Sequence, residues 1–162
     1  MRKLLCLCLL LSGLINAAFA ASVTIPLYLT SDGTTSIGTV TATDTKYGLL
    51  LTPALKDLPP GTHGFHIHVN PSCAEHGMGA GGHLDPHKTG KHLGPYGKGH
   101  LGDLPVLIVK QDGTATLPVL VPRLTVKEIM NHSIMIHEGS DNYTDNPPMG
   151  GGGARIACGV IK

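Results

Sequence analysis

The chain has 162 residues, with 12 Lys+Arg against 11 Asp+Glu and a formal net charge of +1 at neutral pH, so it offers no broad basic surface for nucleic acid. Its 22 Gly and 12 Pro make up about a fifth of the chain, rich in turns but short of the share that marks disorder, which argues against long helical arrays and coiled coils. Ten histidines against two Phe, four Tyr and no Trp point to metal chemistry.

The N-terminus reads first. Arg2 and Lys3 precede an apolar run from Leu4 to Ile15, and Ala18-Phe19-Ala20 follows. That is the layout of a secretory signal peptide, with cleavage expected after Ala20. The run is well short of the roughly 20 residues a membrane span needs, and no later run approaches it, so no membrane span is expected. Residues 21–162 should form one soluble domain. Without Arg2 and Lys3 the net charge becomes −1, and Cys73 and Cys158 are the cysteines that remain.

Eight short, often β-branched stretches follow, bounded by Gly, Pro, Asp or Asn: Val23–Leu29, Gly38–Thr43, Gly48–Thr52, Gly64–Val69, Val106–Lys110, Thr114–Val119, Ile134–His137 and Ala154–Val160. Asp32-Gly33 and Asp112-Gly113 lie between such runs, where hairpin turns want positive φ. With no intervening helices, the expectation is an all-β antiparallel sandwich or barrel. Val126–Met130 is the one helical turn, with Thr125 and Glu128 placed for a capping box. Two segments exceed a minimal sandwich, Asn70–Leu104 and Glu138–Gly153, and loops this long are usually functional. The first holds Cys73 and five histidines and can be fixed by metal and disulfide. The second has no such anchor after Asp141 and is expected to be the more mobile, its run Gly150–Gly153 reading as a flexible connector.

Three constellations carry chemistry. In His66-Ile67-His68 a strand directs both imidazoles to one face, where they can share a metal ion. His137 ends an apolar strand and is followed by Glu138 and Asp141. His83, His92, His100 and Asp103 fall within 21 residues of a glycine-rich loop and make a complete tetrahedral set for zinc, hence a structural site. Singly, each histidine is as well explained by a surface or hydrogen-bonding role. Jointly, His66, His68, His83 and His137 supply four nitrogens suited to Cu(II).

At this point the sequence resembles the copper–zinc superoxide dismutases, over essentially the whole mature chain. The resemblance rests on Gly64-Phe65-His66-Ile67-His68, Gly82-His83, Lys91-His92, His100-Leu101-Gly102-Asp103, Ile136-His137-Glu138 and Gly153-Ala154-Arg155-Ile156-Ala157-Cys158-Gly159-Val160. It implies a Greek-key β-sandwich or flattened barrel, and one copper and one zinc ion per chain. Copper would bind His66, His68, His83 and His137. Zinc would bind His83, His92, His100 and Asp103, so His83 bridges the two. Asp141 would join His66 to His92. Arg155 would dock the anion, and Cys73 would pair with Cys158 in an oxidising compartment. The implied reaction is redox cycling of superoxide to dioxygen and hydrogen peroxide, with His83 handling a proton, and it protects the cell envelope.

The signal peptide and His92-Leu93-Gly94-Pro95-Tyr96-Gly97 make the chain resemble the bacterial, periplasmic branch. The loop after His137 lacks the lysines that many members use to steer superoxide, so Lys88 and Lys91 are the expected steering charges. His63, His76, His87 and His132 receive no role. A homodimer and a monomer both fit the sequence. Two other readings stand beside this one. A copper carrier on the same fold would need neither Arg155, Asp141 nor the zinc set, and a zinc hydrolase would need a zinc open to water.

Overall fold

A computed structural model describes residues 20–162. The expected signal peptide, but for Ala20, lies outside the described residues. Among the described residues, nine strands, one short α-helical turn and two short 3-10 turns form an almost all-β domain. The first three strands are β1 (Ser22–Leu29), β2 (Ser36–Thr45) and β3 (Gly48–Leu55). They form an antiparallel meander in which alternate residues such as Ile25, Leu27, Val40, Ala42, Leu49 and Leu51 point inward. Gly33 and Gly113 hold positive φ, as the turn reading requires. Next come β4 (Gly61–His63), β5 (Phe65–His68), β6 (Leu107–Val109), β7 (Val119–Val121), β8 (Ser133–His137) and β9 (Arg155–Val160).

Strands pair in the order β5-β8-β9-β1-β2-β3-β7, with β4 and β6 forming a separate ladder. The ends of the long sheet return on each other. β4 and β5 are one extended segment that changes partner at Gly64, pairing first with β6 and then with β8. β6 runs through the tight Lys110–Thr114 turn into the segment that bridges Leu55 at Ala115 and continues into β7. The result is a flattened barrel around Leu27, Ile37, Leu49, Phe65, Ile67, Leu104, Ile134 and Ile136, all fully buried.

Eight strands were expected in these places, with one difference of substance. Thr114–Val119 pairs at Ala115 alone, and regular pairing begins at Val119. β4 was not expected, because three residues carry no readable period. The helical turn is α1 (Val126–Ile129). Its capping box is present as expected, and the Glu128 carboxylate accepts from the Thr125 backbone N–H and hydroxyl, each at 2.8 Å.

The long loop after β5 is also held by its own backbone. It folds back along the free edge of β5. Leu84 N–H donates to the Ile67 carbonyl at 2.8 Å, Ile67 N–H to Gly102 at 2.9 Å and Val69 N–H to Gly82 at 3.0 Å. A Cβ on Gly102 would overlap the Ile67 carbonyl oxygen, so only glycine lets the loop come this close. The outer face of β5 is therefore covered, and His66 and His68 are both fully buried although they face away from the core.

Candidate metal centre

Two donor sets converge at this covered face. His66, His68, His83 and His137 offer ligand atoms within 4.8 Å of one another, and so do His83, His92, His100 and Asp103. His83 belongs to both. β5 supplies His66 and His68, the end of β8 supplies His137, and the docked loop supplies the rest. The bridges His66↔Asp103 and His68↔His83 carry the loop's donors to those of β5.

Hydrogen bonds settle which ring nitrogen faces the centre. His66 Nε2–H donates to Asp141 Oδ2 at 2.7 Å, His68 Nδ1–H to the Gly81 carbonyl at 2.9 Å, and His137 Nδ1–H to the Gly153 carbonyl at 3.1 Å. His92 Nε2–H donates to Asp141 Oδ1 at 2.7 Å. Each ring thus spends its N–H outward and turns a lone pair inward. The inward atoms His66 Nδ1, His68 Nε2, His92 Nδ1, His100 Nδ1 and His137 Nε2, with Asp103 Oδ2, are buried and have no hydrogen-bond partner. So many orphaned acceptors in one place are costly unless a cation sits among them.

The clearest case surrounds Asp103. Its Oδ1 lies 2.9 Å from His83 Nδ1, 3.0 Å from His92 Nδ1 and 3.4 Å from His100 Nδ1. Donors on a tetrahedral zinc ion lie about 3.3–3.4 Å apart, given bond lengths of about 2.0–2.1 Å. Neutral His92 aims a lone pair at a carboxylate oxygen, an arrangement that repels until a proton or a metal ion comes between. Burial works against charge on His92, yet a protonated ring can donate to Asp103 as well as to Asp141, and these partners outweigh burial and raise its pKa to about 9. Burial likewise opposes ionised Asp103 and Asp141, and their histidine partners hold both carboxyls below the usual range. The strand histidines behave oppositely. Burial lowers His66 to about 3, His68 to about 2 and His137 to about 4, so these rings are neutral and ready to ligate.

Asp141 bridges His66 and His92 as expected, and also accepts from Tyr143 N–H at 2.7 Å. The loop that carries it departs from the sequence reading. Anchors do follow Asp141: Asp145 Oδ1 accepts from His92 N–H at 2.8 Å, and the Tyr143 hydroxyl accepts from Val106 N–H at 2.9 Å. Nor is the glycine run a free connector. Gly150, Gly151 and Gly153 hold positive φ, and Gly139 N–H donates to the Gly152 carbonyl at 2.8 Å. A Cβ on Gly150 would overlap the Asp141 carboxylate and lie 2.6 Å from His92 Nε2. The anchors at Tyr143 and Asp145 span 37 and 53 residues and left no local signal.

Cys73 and Cys158 form a disulfide closing a separation of 85 residues, for which loop entropy gives about 4–5 kcal/mol. It ties the docked loop to β9 three residues beyond Arg155. The Arg155 guanidinium donates to the Gly77 carbonyl at 2.6 Å and the Gly81 carbonyl at 2.7 Å. It lines a cavity of about 390 Å³ together with His83 and His137. Lys88 and Lys91 are exposed and lie outside that lining. Of the histidines without a role, His63 is buried, with its nitrogens 2.8 Å from the His137 and Pro59 carbonyls. His76 Nδ1 lies 2.9 Å from the Thr30 carbonyl and His132 Nδ1 2.7 Å from that of Val69. His87 is exposed.

Residues 36–161 match the family described as Copper/zinc superoxide dismutase (SODC). The chain belongs to that family. It is 54% identical over 147 residues to the copper–zinc superoxide dismutase of Legionella pneumophila, covering 91% of each chain. It is 54% identical over 159 residues to that of Escherichia coli K12, covering 91% of this chain and 92% of the other. The copper–zinc superoxide dismutase structure from Brucella abortus superposes with a TM-score of 0.84 at 44% identity, covering 88% of this chain and 100% of that one. The solution structure of the monomeric enzyme from Salmonella enterica gives 0.77 at 53% identity, with the same coverages.

Proposed function

We propose that His66, His68, His83 and His137 hold copper, that His83, His92, His100 and Asp103 hold zinc, and that His83 is shared by both ions. The convergence of buried, partnerless donor atoms supports this partition. The reaction is superoxide dismutation, by an oxidoreductase that carries copper and zinc. Copper, when bound, supplies the one-electron couple, and zinc supplies a fixed charge within a closed four-donor shell.

The chain's own residues do the rest. Dismutation consumes two protons, so a proton donor must stand at the reacting anion. With Nδ1 on the Asp103 side, His83 keeps Nε2 for the other set, and that nitrogen can hold and release a proton there. Asp141 fixes the tautomers of His66 and His92 together and so couples the two donor sets. Arg155, held by two carbonyls and by the disulfide-anchored loop, keeps N–H groups aimed at a small anion in the cavity.

Lys88 and Lys91 steer. A mature chain of net charge −1 repels an anion at long range, so a local positive field must draw superoxide in, as is known for this family. Neutralising both lysines should slow the reaction several-fold and flatten its dependence on ionic strength, since screening acts over about 8–10 Å. Arg155→Ile should cost more, and part of that loss should persist at high salt. Stopped-flow rates across a salt series check this. A double lysine variant with the parent's rate and salt dependence would show that the steering charges lie elsewhere.

Residues 1–20 act as a signal peptide, residues 21–162 form the enzyme, and the compartment is the periplasm, where the activity protects the cell envelope. For assembly we favour a homodimer over a monomer. Tyr96 (73% exposed), Leu117 (48%) and Ile108 (46%) form an uncharged apolar patch around one shallow cavity, and such patches mark interaction surfaces. Mass spectrometry of the unreduced mature protein should find an N-terminus at Ala21, no free thiol, and a dimer under native conditions. An N-terminus at Met1 would contradict secretion, and a monomer mass alone would contradict the dimer.

A further inference from the structure

Of the five methionines in the sequence, Met78 and Met149 are exposed, by 62% and 38%, whereas Met135 is fully buried and Met130 packs partly buried against the core. Met1 lies outside the described residues. Both exposed methionines line the cavity that His83, His137 and Arg155 also line. Met78 reaches it from the docked loop, in the short turn Met78–Ala80, and Met149 from the loop after β8.

Met149 is also held at φ 59, ψ 33, in the left-handed region. Glycine adopts that conformation freely, and four glycines follow directly, but an L side chain is strained there.

We infer that Met78 and Met149 form a capture site for cuprous ion at the mouth of the copper channel, from which copper passes to His66, His68, His83 and His137. The inference rests on the ligand partition proposed above. The chemistry that selects this ion is the thioether, a soft neutral donor that favours Cu(I) over Cu(II) and zinc. The electrostatics require such a donor. The positive charge of Arg155, which suits superoxide, repels an incoming cation, and no carboxylate lines the cavity to offset it. A thioether pair gives the cation a foothold without adding the negative charge that would turn the substrate away.

The test uses the zinc-loaded mature chain under anaerobic conditions, with Cu(I) presented as its bicinchoninate complex and uptake read from the loss of that complex's colour. The Met78→Leu/Met149→Leu variant should take up Cu(I) at least five-fold more slowly, reach the same final copper content, and take up Cu(II) at the parent's rate. Leucine keeps the size and apolarity of both side chains, and both are exposed, so folding is not at issue. In a second arm, Ag(I) is added to the copper- and zinc-loaded parent with ¹³C-labelled methionine methyl groups. The Met78 and Met149 signals should shift together and saturate at one ion per chain, with Met130 and Met135 unmoved. Equal Cu(I) rates for variant and parent, equal slowing of Cu(II), or a shift of one methyl or neither would overturn the inference. A parent that takes no copper onto the four histidines would instead overturn the ligand partition itself.

Discussion

His137→Ala should abolish dismutation, lowering it at least ~100-fold, while zinc stays at one ion per chain. His137 is the one histidine of the proposed copper set that comes from β8, and its Nε2 points inward without a partner. Losing even a group hydrogen-bonded to a metal ligand typically costs roughly 10–100-fold in affinity or activity, and here the ligand itself is lost. The proposed zinc donors are untouched, because none of His83, His92, His100 or Asp103 hydrogen-bonds to the His137 ring. The barrel should survive as well. The backbone bonds of His137, in which its N–H donates to the Gly64 carbonyl and its carbonyl accepts from His63 Nδ1–H, do not involve its ring. Metal analysis beside a superoxide-loss assay checks this. A variant that loses zinc while keeping copper chemistry would contradict the partition.

His92→Ala should act in the complementary way, chiefly on stability. His92 joins three parts of the centre: its Nδ1 faces Asp103, its Nε2–H meets Asp141, and its backbone N–H meets Asp145. Removing the ring opens the zinc shell and breaks half of the Asp141 link to His66. We expect zinc affinity to fall by tenfold or more and the melting temperature to drop by about 5–10 °C, equivalent to about 2–3 kcal/mol in a chain of this size. Copper binding should persist in part, because His66 keeps its own bond to Asp141. Proteolysis should cut first within Asn70–Leu104, though the backbone pairing of Leu84 and Gly102 with Ile67 will hold its middle in place. Calorimetry and limited proteolysis provide the readouts. Melting like the parent with full activity would mean that zinc is not structural.

What the sequence revealed and what it hid divide along the reach of the interactions. His66 and His68 were legible because a period of two is a property of a single strand. His83, His92, His100 and Asp103 were legible as a set because so long a loop needs a fixing agent. Arg155 carried no chemical signal of its own, and its role came from the resemblance to the family. Tyr143 and Asp145 could not be read, since their partners Val106 and His92 lie 37 and 53 residues away. Gly150 gave a misleading signal. A glycine run resembles a flexible linker, yet here the missing side chain lets the backbone press against Asp141 and His92. His63 looked like any surface histidine, although burial places it against the His137 carbonyl. The strand β4 was too short to show a period and forms because β6 pairs with it.

The account stands most directly on the claim that one chain holds one copper and one zinc at a single shared centre whose activity is that of the copper. The decisive measurement is a metal titration of the metal-free mature protein, zinc first and then copper, with metal content and superoxide loss read on the same samples. The account predicts that zinc saturates at one ion per chain without activity, and that activity then rises in proportion to copper and stops at one ion per chain. Activity with zinc alone, or a full equivalent of copper bound on the histidines without superoxide loss, would contradict it.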